Sequence, residues 1–445
     1  MNKITILLFV LCFSNTALLA QEDQTIPNRA ISLQEAIKIA LENNHDISVA
    51  NRTVKIAENN ASLGNAGFLP TVTASGSYTG SVQDTEIRFP GNQGDINVSD
   101  AGSTSLSGSI AANYVLFDGF GNYYTFKNLQ NLAEQSGVSA RLQIEGTLIQ
   151  VINQYLNVLF ENESLRIAEE SIERSKDRFN RVSERFNFGN ASRLDVLTAQ
   201  VDLNADSVIY VQSKARLENA KRTLLIQLGA SPSSDISLAD EYSINTSMKL
   251  DEVLAQSRQH NAAIVISRLA SESAELQLRQ TKSDRFPVVS LSGAYNYTKN
   301  EQDAGQFEYQ ELKGFNGGIS VSLNLFNGFR RETQIQNAMV SLKNNQELLQ
   351  LAGKALERDV MNLYQDYQTN LFLVEKEELN LETAELNFER SQELFDLGQI
   401  TNTQFREAQL GVSRVQQNIV RLKVQAKRAE VQLLQLSGQL INVQP

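Results

Sequence analysis

Residues 165–186 read LRIAEESIERSKDRFNRVSERF, and in them apolar or small side chains return at alternating spacings of three and four: Leu165, Ala168, Ile172, Ser175, Phe179, Val182 and Phe186. That spacing is the seam of a coiled coil. The surrounding stretch, from Phe120 to Gly189, contains no proline. At about 1.5 Å per residue a helix of that length reaches roughly 100 Å, whereas helices of globular domains average roughly 10–14 residues. Such a rod has to pack along its length against something equally long.

The chain supplies the partner. After Phe188, Gly189, Asn190 and Ala191 the pattern resumes as two neighbouring stripes, one through Leu194, Leu197, Val201, Val208, Val211 and Ala215, the other through Val196, Ala199, Leu203, Tyr210, Leu217, Ala220 and Leu224. A two-stranded coil needs one seam. Two adjacent seams suit a helix with a neighbour on either side, as in a closed ring of helices.

The totals exclude several classes. Across 445 residues, 41% are hydrophobic, Trp is absent and Pro occurs six times, with no shift in composition that would mark separate globules. Lys and Arg number 40 against 51 Asp and Glu, a net charge of −11. That acidity argues against a nucleic-acid partner, which requires a basic footprint. Residues 1–20 read as a secretory signal peptide: Lys3, an apolar core from Ile4 to Phe13, then Ala17-Leu18-Leu19-Ala20 before Gln21. The core is too short to cross a bilayer as a helix, and no later run approaches the roughly eighteen apolar residues that a crossing requires. Cys12, the single cysteine, falls inside that leader, so the mature chain is expected to lack a thiol, a disulfide and any Cys metal ligand. His45 and His260 are the two imidazoles, lie in different halves and read as surface positions. With no nucleophile elbow, phosphate-cradling loop or ligand cluster, no catalytic, cofactor-binding or metal residue is expected, and the chain reads as a non-enzyme.

Taken in order, Ser32-Leu33-Gln34-Glu35 is a capping box that opens a helix expected over 32–66. Phe68-Leu69-Pro70 stops it, and alternation takes over: Val72, Ala74, Gly76 and Tyr78 against Thr71, Thr73, Ser75 and Ser77. This predicts a strand at about 70–89; a polar loop from about Pro90 to Ser103 and a second strand at about 104–117 follow. Asp118 is placed to cap the long helix, 120–188, which Gly137 and Gly146 each weaken by about 1 kcal/mol. A further helix covers 192–228. After a linker over 229–249 the same programme returns, with helices over 250–284, 328–396 and 401–437 and strands at about 287–298 and 316–326, separated by a loop from Lys299 to Phe315. Gly189 pairs with Gly398 at a step of 209 residues and Leu33 with Leu250 at a step of 217. The chain is therefore an internal duplication, with repeats at 32–228 and 250–437, an N-terminal extension at 21–31 and a tail at 438–445. In each half the two shorter helices, of roughly 34 and 37 residues, together match the long one. The strands, at about ten residues with one apolar and one Ser/Thr/Asn face, suit a tilted barrel strand in a membrane. Four strands fall short of the roughly eight that close such a barrel, and open edges are not tolerated in lipid, so several chains are expected to share one barrel.

These features together resemble the TolC-like outer-membrane efflux protein family. The resemblance is carried by Gly67-Phe68-Leu69-Pro70 entering a strand, by Asn113-Tyr114-Val115-Leu116-Phe117-Asp118-Gly119 and Ser322-Leu323-Asn324-Leu325-Phe326-Asn327-Gly328 leaving one, and by the helix-tip segments from Arg185 to Gln200 and from Phe395 to Gln409. It covers essentially the whole chain after the leader. It implies a mostly α fold with a small β part: a homotrimer whose twelve-stranded β-barrel lies in outer-membrane lipid and continues as a twelve-helix periplasmic tunnel, with the 229–249 linker at its equator. It also implies a periplasmic adaptor (membrane fusion protein) and an inner-membrane transporter as partners, and hence an exit duct for a tripartite efflux pump or a type I secretion system. A periplasmic coiled-coil scaffold without a pore is the alternative from a different class, and the amphipathic strands discriminate against it.

By the same resemblance the tunnel narrows to a gate at the turns around Gly189 and Gly398. The family's two acidic gate positions fall on Gln404 and Glu407, with Phe395 in the place of a tyrosine that helps hold the gate shut; Asp195 and Thr198 are the first-repeat counterparts. Gln404 departs from the acidic pattern. Adaptor contact falls on Phe188, Gly189 and Asn190 and on Leu397, Gly398 and Gln399. A plainer reading stands beside this one: Ser192 with Asp195, and Thr401 with Gln404, have capping-box spacing, while Glu407 lies one turn further in and caps nothing.

Overall fold

The computed structural model describes residues 30–88, 96–239, 242–304 and 307–440. The expected leader, residues 21–29 of the extension and the end of the tail lie outside these. In chain order the elements are β1 (Ala30–Ile31), α1 (Leu33–Asn43), α2 (His45–Asn60), β2 (Thr71–Ile87), β3 (Ile96–Phe117), α3 (Gly121–Asn187), α4 (Arg193–Gln227), β4 (Ser237–Leu238), α5 (Leu250–His260), α6 (Ala262–Ser283), β5 (Val288–Gln302), β6 (Tyr309–Ser322), α7 (Arg330–Asp396) and α8 (Asn402–Leu436). They fall into two compact units. One gathers the chain up to Asn44 with Gln154–Tyr242, the other His45–Asn153 with everything from Ser243. The helix α3 runs unbroken past Gly137 and Gly146 and contributes to both.

The first unit is built on the second part of α3 against α4 and α1. Ser32 and Glu35 close a reciprocal capping box at the start of α1. Around Tyr155, which is fully buried, the two short strands β1 and β4 pair in parallel, with Ala30 opposite Ser237. The Tyr155 hydroxyl lies 2.9 Å from the Ile31 carbonyl oxygen and 2.8 Å from that of Ala239, tying both strands to the helix.

In the second unit α7 and α8 carry the core, with Val360, Tyr367 and Leu433 fully buried in one cluster with Val253 of α5. Two tyrosines of α7 fasten the linker: Tyr364 donates to the Met248 carbonyl at 3.0 Å and Tyr367 to that of Asn245. Burial pushes the Tyr367 hydroxyl up to about 12, and the neighbouring Glu430 carboxylate adds to this, so it remains a donor.

The helices expected over 32–66 and 250–284 are each two helices. The break falls at Asn44 and at Asn261, both in extended backbone. At each the side-chain amide donates to the last carbonyls of a different helix: Asn44 to Gln227 at 2.8 Å, Asn261 to Leu436 at 3.0 Å. Gly229 and Gly438 end those helices with positive φ and leave no room for a Cβ against Asn43 and His260 respectively. Both His45 and His260 are exposed.

The strand-to-helix entries also repeat. Gly119-Phe120 and Gly328-Phe329 are successive residues with positive φ, and Phe120 and Phe329 stack edge-on against Phe117 and Phe326. Asp118 accepts from the Asn122 amide at 2.6 Å and Asn327 from that of Arg331 at 3.4 Å, capping α3 and α7.

Four strands form one antiparallel sheet in the order β2-β3-β5-β6. They are longer than the expected ten residues, from 14 in β6 to 22 in β3. Residues 96–103, expected in a loop, extend β3, and the expected loop from Lys299 to Phe315 is largely strand, with Lys299 opposite Glu311. Polar residues that pair across strands need no apolar face to hold them in a ladder, so this extension leaves no hydrophobic signature. At the other end β6 stops at Ser322, leaving Leu323–Phe326 as connection, not strand.

Candidate functional site

The first hairpin joins α3 to α4. Gly189, at φ 78°, ends α3, with the Asn190 amide bonded to the Arg185 carbonyl at 2.7 Å. This is the Schellman arrangement, in which glycine alone enters the left-handed region without strain. Ser192 then caps α4: its hydroxyl accepts from the Asp195 amide at 3.2 Å, while the Asp195 carboxylate accepts from the Ser192 amide at 3.0 Å and hydroxyl at 2.6 Å. Those bonds, the hydroxyl's first, hold Asp195 below the usual carboxylate range. Phe188 projects from the turn, 82% exposed.

Behind this tip the packing is polar. Of the seam in residues 165–186, Ala168, Ser175 and Val182 are buried, whereas Leu165, Ile172 and Phe179 are partly open. Arg178, which the heptad reading leaves on the surface, is fully buried and pairs with Asp202 of α4 at 2.7 Å. One turn away the Ser175 hydroxyl donates to Asp206, also buried.

The second hairpin joins α7 to α8 through the same backbone device. Gly398 has φ 73°, the Gln399 amide meets the Leu394 carbonyl at 2.8 Å, and Thr401 caps α8 with Gln404 returning the bond to the Thr401 amide at 2.9 Å. Its packing is aromatic. Phe405 lies between Phe395, ring centroids 4.7 Å apart, and Phe388, 5.8 Å apart, all nearly parallel. Phe395 is therefore a buried residue of the hairpin core, while Glu407 and Leu397 are exposed. Thus Asp195 and Gln404 both act as caps, and Glu407 alone of the acidic candidates on α8 presents its carboxylate to solvent.

Two further surfaces are uncovered. On α4 the stripe through Val196, Ala199, Leu217, Ala220 and Leu224 is buried, whereas Leu194, Leu197, Val201, Val208 and Val211 are at least half exposed. The sheet has two unlike faces. One carries Val72, Ile110, Leu291, Tyr295, Ile319 and Val321, the other Ser, Thr and Asn; β2 and β6 are each paired on one side only. Among the described residues no helix is long and apolar enough to cross a membrane, and no cluster of metal-ligating side chains occurs.

Comparison with known proteins agrees with this architecture. The family described as outer membrane efflux protein matches residues 36–230 and 253–439, one match in each half. Protein CyaE of Bordetella pertussis is 23% identical over 344 residues, 76% of this chain and 69% of CyaE. Outer membrane protein TolC of Vibrio cholerae is 20% identical over 300 residues, 66% of this chain and 68% of that protein. Among solved structures the outer-membrane channel OprN shares the fold with a TM-score of 0.74 at 18% identity, over 92% of this chain and 90% of OprN.

Proposed function

Since the chain belongs to the outer membrane efflux protein family, and so is an outer-membrane protein, we propose that three copies assemble into a passive exit duct for an efflux or secretion system. The observation that carries this is the sheet. Its apolar face is exposed, its edge strands β2 and β6 lack partners on their outer sides, and unpaired edges are excluded from lipid. Four strands per chain become twelve when β6 of one copy pairs with β2 of the next, enough to close a barrel. The exposed stripe on α4 is then the second seam, covered by a neighbouring copy. The duct has no chemistry of its own. A periplasmic adaptor and an inner-membrane transporter drive the cargo, and Phe188, Gly189 and Asn190 with Leu397, Gly398 and Gln399 meet the adaptor.

Glu407 is the charged element of the proposed gate on α8, three copies making a carboxylate ring that favours cations. Gln404 and Phe395 set the hairpin that holds it, and Asp195 is the matching gate position of the first hairpin. Purified protein in detergent is expected to be trimeric and to form pores in planar bilayers. A monomer that stays soluble without detergent sinks the duct and favours the poreless scaffold. Within the duct, Glu407→Gln should lower the cation-to-anion permeability ratio and weaken block by multivalent cations. Unchanged conductance and selectivity would assign Glu407 to an ordinary solvated helix face.

A further inference from the structure

The polar face of the sheet is without charge in a way that the rest of the chain is not. Ser75, Ser109 and Asn296 lie side by side across β2, β3 and β5, and Ser77, Ser107 and Thr298 form the next rung. Six successive rungs run from Thr71 opposite Asn113 to Ser81 opposite Ser103; all but the second, Thr73 with Ala111 and Ala294, set polar side chains side by side across β2, β3 and β5, and no ionisable side chain lies on this face of β2, β3, β5 or β6 within them. Yet a fifth of the chain is Asp, Glu, Lys or Arg and its net charge is −11. The charged residues of these strands sit on the opposite face, Lys299 across from Glu311, or beyond the six rungs.

The rungs are also internally paired. The hydroxyls of Ser75 and Ser109 are 2.8 Å apart, as are those of Ser77 and Ser107, and Ser105 donates to Asn300 at 2.7 Å; between neighbouring rungs Asn296 donates to Asn316 at 2.5 Å. A hydroxyl both donates and accepts. A surface of paired hydroxyls and amides therefore presents neither the excess of donors that holds anions nor the excess of acceptors that holds cations.

We propose that this face is a charge-blind wall: it passes water-soluble solutes of either sign alike, so that any ion preference of the duct originates outside the sheet. The proposal rests on the reading that copies of the sheet close into a barrel with this face inward.

The test places one thiol at a rung. Full-length protein carrying Ser107→Cys, and separately its partner Ser77→Cys, is reconstituted in planar bilayers and treated with an anionic sulfonated and with a cationic trimethylammonium thiosulfonate reagent. Each rate is divided by that reagent's rate with free cysteine. Charged clefts concentrate counter-ions by roughly 10- to 1000-fold, so a wall with a hidden sign should favour one reagent by at least about tenfold. Equal normalised rates, each with a stepwise fall in conductance, are expected. A bias of about tenfold or more at both positions overturns the charge-blind wall and leaves the duct standing. If neither thiol reacts, or if both react without changing conductance, the barrel reading fails and the proposal fails with it.

Discussion

The two hairpins share a backbone and differ in what fills them. Each ends its long helix on a left-handed glycine, Gly189 or Gly398, and opens the next with a reciprocal capping box. Between α3 and α4, however, the buried layer is Arg178 with Asp202 and Ser175 with Asp206, whereas between α7 and α8 it is Phe405 between Phe388 and Phe395. Stacked rings keep most of their gain from burial when the helices slide slightly, since hydrophobic burial is non-directional even though the ring pairs prefer an offset stack. A buried guanidinium bonded to a carboxylate needs a defined geometry, and desolvation makes departures from it costly. The turns are alike while the layers behind them differ, one hairpin held by apolar area and the other by register.

That contrast is open to direct attack, with local amide exchange in each hairpin as the readout. The largest effect is expected from Phe405→Ala, which removes the middle ring of the stack and should lower the opening free energy of the second hairpin by about 3–5 kcal/mol, with the first unchanged. Arg178→Ala removes a fully buried guanidinium together with its bond to Asp202 and should cost the first hairpin about 3 kcal/mol. The double change Arg178→Met with Asp202→Leu should recover most of that loss, because an apolar pair of similar volume replaces the ion pair at little net cost. If the double variant is as loose as Arg178→Ala, the pair is not what sets the register. The smallest effect is that of acid. Asp195 titrates below the ordinary carboxyl value in the folded hairpin, so its contribution is present above that value and is lost as pH falls through the folded one. Because the group is partly exposed, the loss in the first hairpin should stay below about 1 kcal/mol. The Gln404 cap does not titrate, and the second hairpin should show no such step.

How much of this was legible beforehand follows from the kind of force involved. The order of helices and strands shows in the sequence because burial of a repeating apolar side chain leaves a period, as along Phe405, Ala408, Val412, Val415 and Ile419, all buried. The glycine turns and capping boxes show because each is a local device within a few residues. Asn44 and Asn261 did not announce themselves, since an asparagine inside a helical pattern looks like any solvated one until the carbonyl it reaches, 183 or 175 residues away, is in view. Arg178 was hidden for the same reason: a charge within a heptad reads as surface unless its partner is known. The outer parts of the strands were missed because polar pairs such as Ser81 with Ser103, Lys299 with Glu311 and Asn300 with Gln310 hold a ladder without the hydrophobic alternation by which strands are recognised. Of the gate candidates, the capping roles of Asp195 and Gln404 were readable from spacing, whereas the burial of Phe395 depends on Phe405 and was not.

The asparagine joint acts as a latch, and the chain carries it twice. Asn44 with Gln227 and Asn261 with Leu436 are the same contact made twice, down to the glycine two residues past the accepting carbonyl, which rests on the residue before the asparagine, Asn43 or His260. Each joint also closes within a single compact unit, Asn44 and Gln227 in one and Asn261 and Leu436 in the other, so each kink is latched from inside its own unit.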